Sequence, residues 1–281
     1  MEKIFRIHSI IAGIYHLYDD KTHETLKIPA AGKLRYQGVT PVVGDLVEVK
    51  DNLITKVLER KNEFIRPKVA NIDQMFIFMS IKEPEFQSFL VDKYLAIVES
   101  KNIIPFLCLT KVDLDNVLAK QWLDYYQGMN YQVFLIDNDN PNYYDAMHPF
   151  FKDEYSVFMG QSGVGKTTTL NYLGNHDFET QQISKALGRG KHTTRVVQAI
   201  PFNEGFLIDT PGFSSLELNM TKIELAQSFK SFKELAKTCK FRSCLHINEP
   251  ENFCAVKQKV GTLEVPTLRY ENYLKLQKEL D

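Results

Sequence analysis

The chain has 281 residues, of which 44% are hydrophobic and 25% charged, a length that allows one to three domains with buried cores and a composition that excludes a disordered chain. A formal net charge of -1 supplies no global attraction to nucleic acid, so any such partner has to be met by a local patch. No uncharged apolar run approaches the roughly 18 residues of a membrane helix, and the opening "MEKIFRIHSIIAG" lacks the apolar segment and small-residue cleavage site of a secretory leader; a cytoplasmic protein with no membrane partner is expected.

From Ile4 to Lys68 the sequence consists of short apolar runs broken by turn residues, "IHSIIAGIYHLYD", "ETLKIPAAGKLR" and "VTPVVGDLVEVKDNLITKVLER". About five short strands without a helical period predict a small all-β barrel over 1–68. Its 12 Lys and Arg against 9 Asp and Glu permit a basic face.

Beyond Pro67 the pattern changes. "IDQMFIFMSI" has the continuous apolar character of a strand buried on both faces, and "FQSFLVDKYLAIVESKN" after it carries apolar residues near helical spacing. Strand "IIPFLCLT", helix "VLAKQWLDYYQGM", strand "YQVFLID", strand "YSVFMG", helix "KTTTLNYLG" and strands "RVVQAIPF" and "GFLIDTPGF" follow. This alternation predicts a parallel α/β sheet with flanking helices over 69–215. From 216 to 281 the pattern is helical, with "TKIELAQSFKSFKELAKTC" and "PTLRYENYLKLQKEL" on either side of a cysteine cluster.

Gly160, Gln161, Ser162, Gly163, Val164, Gly165, Lys166 and Thr167 fill the pattern G-x-x-x-x-G-K-[ST] between a strand and a helix. Glycines there let backbone N–H groups turn toward a β-phosphate, the helix start adds partial positive charge, and Lys166 adds a full one. The Thr167 hydroxyl is offered to Mg²⁺, and Thr168 after it is expected among the nucleotide-binding residues. Asp209 at the tip of the strand "GFLI" opens the D-x-x-G motif Asp209-Thr210-Pro211-Gly212: its carboxylate supports Mg²⁺, and the Gly212 N–H contacts a γ-phosphate. Thr110-Lys111-Val112-Asp113 also follows a buried strand. The Asp113 carboxylate accepts from the two N–H groups on the guanine edge, which adenine lacks, while Lys111 covers the base plane; the nucleotide is then GTP or GDP and the protein a P-loop GTP hydrolase.

The glycine-rich stretch "GRGKHTTR" places Thr193 and Thr194 where either hydroxyl can reach Mg²⁺. Phe213 follows Gly212 where many GTPases carry a glutamine that orients water. Either His192 swings in, or a partner supplies the missing group, or hydrolysis stays slow; slow intrinsic turnover accelerated by a partner is expected, with His192 the internal catalytic candidate. Cys239, Cys244, His246 and Cys254 offer three thiols and one imidazole within sixteen residues, a closed tetrahedral set for one structural Zn²⁺. Four protein ligands leave no open position, so the metal staples the tail. Cys108 stands apart in an apolar strand, which speaks against a disulfide framework.

Together, "PVVGDLVEV", "ANIDQMFI", "TKVDL", "GQSGVGKTTTLN", "GKHTTR", "DTPGF" and "CKFRSCLH" resemble the ribosome small-subunit-dependent GTPase A family, the circularly permuted GTPases, over essentially the whole chain. The order is the specific part: the guanine motif precedes the phosphate loop. The resemblance implies an N-terminal OB-fold, a permuted G domain, a C-terminal zinc-binding domain, and a monomer that engages the small ribosomal subunit and its rRNA late in maturation with subunit-stimulated turnover. Because the segment after Gly212 runs on into the zinc region, γ-phosphate contact is expected to bias that region's orientation. Two departures stand out. The interval from His246 to Cys254 is long for the family, and after "YQVFLID" no Ser-Ala pair backs the guanine, leaving Asp137 to Asn140 as the place for that contact. Two other functions compete: an RNA-binding assembly factor whose nucleotide is structural, and an ATP-dependent enzyme, which Asp113 disfavours.

Overall fold

Strand β1 (Lys3–Ile11) is the hub of the N-terminal region, because it pairs antiparallel with both β2 (Ile14–Tyr18) and β4 (Leu46–Lys50). In the computed structural model, residues 3–137, 143–175, 197–209, 213 and 216–280 are described. β2 continues to β3 (Thr25–Pro29), and β4 to β5 (Leu53–Val57), while a parallel bridge from Ala30 to Ile54 brings the free edges together. The ring order is therefore β1-β2-β3-β5-β4-β1. Inward positions Phe5, Ile7, Leu17, Ile28, Val47 and Ile54 alternate with outward ones and are nearly solvent-free, as period-2 strands closing on a core require. A five-residue helix, Gly32–Tyr36, interrupts the strands; it is too short to carry the helical period that would announce it in sequence.

The chain divides into two units, one of residues 1–74, 144–158 and 167–214, the other of residues 75–143, 159–166 and 215–281. In the first, the two-residue strands β6 (Glu63–Phe64) and β7 (Val69–Ala70) form a small hairpin after the ring. Further along the chain in this unit come β11 (Tyr155–Met159), β12 (Gln198–Phe202) and β13 (Gly205–Asp209). β13 pairs parallel with β11 and antiparallel with β12, and β12 meets β1 at Ser9–Gln198, so ring and sheet are continuous. The sheet is thus mixed where the alternation of strand and helix predicts a parallel one. The cause is local: Asn203 and Glu204 both adopt positive φ, 48° and 60°, the conformation of a two-residue hairpin that turns the chain straight back.

In the second unit, β8 (Gln74–Ser80), β9 (Ile104–Thr110) and β10 (Gln132–Ile136) lie in the order β10-β9-β8, and β9 and β10 pair parallel. Every residue of β8 is buried, which explains its unbroken apolar run. Phe76 stacks on Phe106 at 4.8 Å between ring centroids, and Phe134 joins them at 6.0 Å from Phe106. Helix Ser88–Ser100 buries Val91, Leu95 and Val98; helix Asn116–Gly128 starts where the Asp115 carboxylate caps it by accepting from the Leu118 N–H at 3.0 Å. The tail's last helix, Thr267–Lys278, is bound to helix Ser88–Ser100 by an ion pair between Arg269 and Asp92, 2.9 Å apart and 1% and 0% exposed. Asn272 donates to the same carboxylate at 2.7 Å.

Candidate functional site

Three glycines of the loop after β11 hold positive φ: Gly160 at 144°, Gly163 at 82° and Gly165 at 90°. At Gly160 a side chain is also sterically barred, since a Cβ would lie 2.4 Å from the Phe78 carbonyl oxygen. Helix Lys166–Asn175 begins at the lysine, and the Lys166 ammonium donates to the carbonyls of Gly160 and Gln161, both at 2.6 Å. A loop of this shape, with a cation folded over it and a helix start behind it, can gather N–H groups around a phosphate. Thr167 and Thr168 are exposed in the first turn of that helix.

Thr110 ends β9 fully buried, and its hydroxyl donates to the Val164 carbonyl at 2.6 Å. The T-K-V-D segment and the glycine loop are therefore tied to each other directly, although 54 residues separate the two atoms' owners. Lys111 takes a left-handed φ of 54° and its ammonium donates to the Glu83 carbonyl. Asp113 sits exposed in the single 3-10 turn Val112–Leu114, so its carboxylate is open to a ligand edge. Asp115, two residues on, is committed to the helix cap and to Lys82 at 3.0 Å, and those bonds hold its carboxyl below the usual range. Cys108 is solvent-free inside β9 and burial pushes its thiol well up, the signature of a core residue.

Asp209 closes β13, with its backbone in register with Gln198. Phe213 is 2% exposed and stands edge-on to Phe64, ring centroids 5.2 Å apart at 87°. His192, Thr193, Thr194 and Gly212 lie outside the described residues, as does the stretch from Asn138 to Asn140.

The tail brings its four expected ligands together: the donor atoms of Cys239, Cys244, His246 and Cys254 all lie within 4.8 Å of one another. Tetrahedral Zn²⁺, with Zn–S near 2.3 Å and Zn–N near 2.0 Å, spaces its ligands by roughly 3.5–3.8 Å, so this set fits the ion. The His246 Nε2–H donates to the Ala226 carbonyl at 3.2 Å, which leaves the Nδ1 lone pair facing the thiols, 3.3 Å from Cys254 Sγ and 3.8 Å from Cys239 Sγ. Backbone N–H groups of Ala255 and Lys257 point at the sulfurs of Cys239 and Cys254 at 3.3 and 3.4 Å, an arrangement that favours thiolates. The long interval before Cys254 is organised by Glu249, a residue the sequence does not single out. Its carboxylate accepts from the N–H groups of Leu245 at 2.7 Å and Ile247 at 2.9 Å, and Lys257 binds the Ile247 and Glu249 carbonyls from the other side. The longer loop is accordingly a folded turn that leaves the ligand set intact.

The sequence matches the RsgA GTPase family over residues 57–219. A Mycoplasmopsis agalactiae protein named small ribosomal subunit biogenesis GTPase RsgA is 51% identical over 278 residues, covering 98% of both chains. The chain belongs to the RsgA GTPase family. A relative of the same name in Mycoplasmopsis pulmonis is 48% identical and covers 99% of each chain. Among solved structures, YloQ, described as a circularly permuted GTPase, superposes with a TM-score of 0.80 at 32% identity, over 100% of this chain and 95% of that one. YjeQ from Thermotoga maritima gives 0.81 at 30% identity, over 100% and 99%. The fold is that of the circularly permuted GTPases.

Proposed function

We propose that this protein hydrolyses GTP to GDP and phosphate and acts in the cytoplasm in the late maturation of the small ribosomal subunit, whose binding stimulates turnover. The observation that carries the reading is the Thr110–Val164 hydrogen bond, which fastens the guanine motif to the phosphate loop inside a chain half identical, end to end, to a small-subunit biogenesis GTPase. In this reading Asp113 and Lys111 hold guanine, residues 160–168 hold the phosphates, Thr167 and Asp209 hold Mg²⁺ with Thr193 or Thr194, and Gly212 senses the γ-phosphate. Magnesium neutralises charge on the phosphates when bound; the chain's own part is to fix the nucleotide and exclude alternatives. Zn²⁺ on the four tail ligands is structural. Residues 1–68, whose closed ring of five strands supports reading them as an OB-fold, form the rRNA-binding part, 69–215 the G domain and 216–281 the zinc domain of a monomer.

The burial of Phe213 favours a second reading. A ring packed on Phe64 does not orient water, so intrinsic hydrolysis is slow, and His192 or a group from the subunit must complete the site; with neither, the protein is an RNA-binding assembly factor with a structural nucleotide. Phosphate release measured with and without small subunits separates the two. Stimulation by small but not large subunits supports the GTPase, and unchanged turnover in the presence of bound subunits refutes it.

A further inference from the structure

The three residues that follow β8 run alongside the T-K-V-D segment and each touches it. The Ile81 N–H donates to the Thr110 carbonyl at 3.0 Å, the Lys82 ammonium pairs with the Asp115 carboxylate at 3.0 Å, and the Glu83 carbonyl accepts from the Lys111 ammonium. Lys111 and Asp115 flank the 3-10 turn Val112–Leu114, which carries Asp113. Both ends of that turn are therefore held by one neighbouring dipeptide, Lys82-Glu83, and Asp113 between them is exposed.

The dipeptide is itself fixed. Ile81 is solvent-free, the Ser80 hydroxyl donates to the Pro84 carbonyl at 2.7 Å, and the Phe86 N–H turns back to the Ile81 carbonyl at 3.3 Å. Phe86 then stacks on Trp122 of helix Asn116–Gly128, ring centroids 4.3 Å apart at 26°. Glu83 stands at φ 56°, a conformation uncommon outside glycine that persists where surrounding contacts over-determine it. Asp115 divides its carboxylate: Oδ1 accepts from the Leu118 N–H as the helix cap, and Oδ2 takes Lys82. Removing the Lys82 ammonium thus leaves the cap in place and frees only this end of the turn.

We propose that Lys82 is a positioning residue for guanine recognition: through Asp115 it fixes the turn so that both oxygens of Asp113 face the two N–H groups of the base at once. A carboxylate on a loosened turn makes those two bonds together less often, and the exocyclic amino group then goes unread. Hypoxanthine keeps the ring N–H and lacks that amino group, so it offers Asp113 one bond however well the turn is held. The discrimination between guanine and hypoxanthine is accordingly the quantity that Lys82 controls. This rests on reading Asp113 as the guanine contact.

The side chains of the pair are 40% and 29% exposed, so its worth is that of a surface ion pair, which sets the scale at roughly 2- to 5-fold. The test is competition of GDP and of IDP, its hypoxanthine counterpart, against fluorescent GDP in the wild type, K82M, D115N and the double variant, with far-UV circular dichroism as the folding control. K82M is expected to lower the preference for GDP over IDP by roughly 2- to 5-fold, mainly through weaker GDP binding. A loss of general stability would weaken both nucleotides alike and leave their ratio unmoved. D115N, which keeps an oxygen for the helix cap, should match K82M, and the double variant should fall no further than either. An unchanged ratio in either folded single variant, or losses that multiply in the double, overturns the proposal, and D115N decides alone if K82M does not fold. A wild type that binds GDP and IDP alike, or a D113N variant that keeps the wild-type ratio, overturns the guanine reading, and the proposal with it.

Discussion

The Thr110 hydroxyl donates to the Val164 carbonyl across 2.6 Å, and neither residue is exposed to solvent. Two loops that on the proposed reading grip opposite ends of one nucleotide are in this way held in fixed register before it arrives. Pre-organisation of this kind raises affinity by removing the ordering cost of binding. Replacing Thr110 by valine keeps the shape and leaves a buried acceptor unsatisfied, at about 1–3 kcal/mol. T110V is expected to lower the unfolding free energy by that amount and to weaken GDP binding about tenfold. T110S should stay near the wild type in chemical denaturation and nucleotide titration.

On the proposed reading Lys166 takes the phosphate end of the ligand and Asp113 the base end. K166A removes a charge-assisted contact and should cost roughly 10- to 100-fold in affinity for GDP and GTP alike. D113N exchanges an acceptor for a donor on the guanine edge, and a competition titration should show the preference moving from guanine toward xanthine nucleotides. Unaltered base preference would remove Asp113 from the pocket.

The metal proposed for the tail is open to direct measurement. Atomic absorption should find one zinc per chain in the wild type and much less in C244A or H246A. Chelation should lower the melting temperature by roughly 10 °C, the shift expected when a structural ion worth several kcal/mol is lost from a chain of this size. E249A keeps all four ligands but frees the loop before Cys254, so it should retain zinc when freshly purified and lose it faster to a chelator.

His8 gives stability a pH dependence with a calculable sign. Its ring is stacked on Tyr18 at 4.7 Å and stands against Phe206 at 4.6 Å; Tyr155 donates its hydroxyl proton to Asp20, so His8 Nε2–H donates to the Tyr155 oxygen at 2.7 Å. Burial lowers the imidazole pKa to about 4, reinforced by Arg6 and opposed by Asp20. The unfolded chain takes up a proton near pH 6.5 and the folded chain only near pH 4. The stabilisation is therefore complete above pH 6.5 and disappears as pH falls to 4, by up to about 3 kcal/mol. Urea midpoints at pH 7 and pH 5 should differ in the wild type and differ less in H8F.

Asp92 and Arg269 form the most deeply buried ion pair of the described residues. Removing one partner strands the other without solvent, so D92A is expected to cost about 3–5 kcal/mol, whereas D92L with R269M should recover much of it. Thermal unfolding of the single and double variants measures both.

The shape of the glycine loop and the clustering of the four tail donors were legible because each needs fixed residue types at fixed spacing: glycine where φ is positive, a lysine at a helix start, thiols and an imidazole close in the chain. β8 and β9 announced themselves by apolar runs that only a two-sided core produces. β12 was legible as a strand, but its antiparallel direction was not, because its turn uses Glu204 at positive φ, where a glycine would have signalled the hairpin. Phe64 with Phe213, and Asp92 with Arg269, were also invisible. Periodicity in one sequence reveals which face of an element is buried, while the partner across the core leaves no trace in spacing.

That last pairing bears on how the chain is made. Asn272, which shares the Asp92 carboxylate with Arg269, is synthesised 180 residues after it. During translation the acid therefore waits in water, on a helix face that is otherwise apolar, until almost the whole polypeptide has emerged. A product cut short before the final helix carries an uncompensated charge at the centre of its own packing surface, and so stays visibly unfinished however well its nucleotide loops have formed.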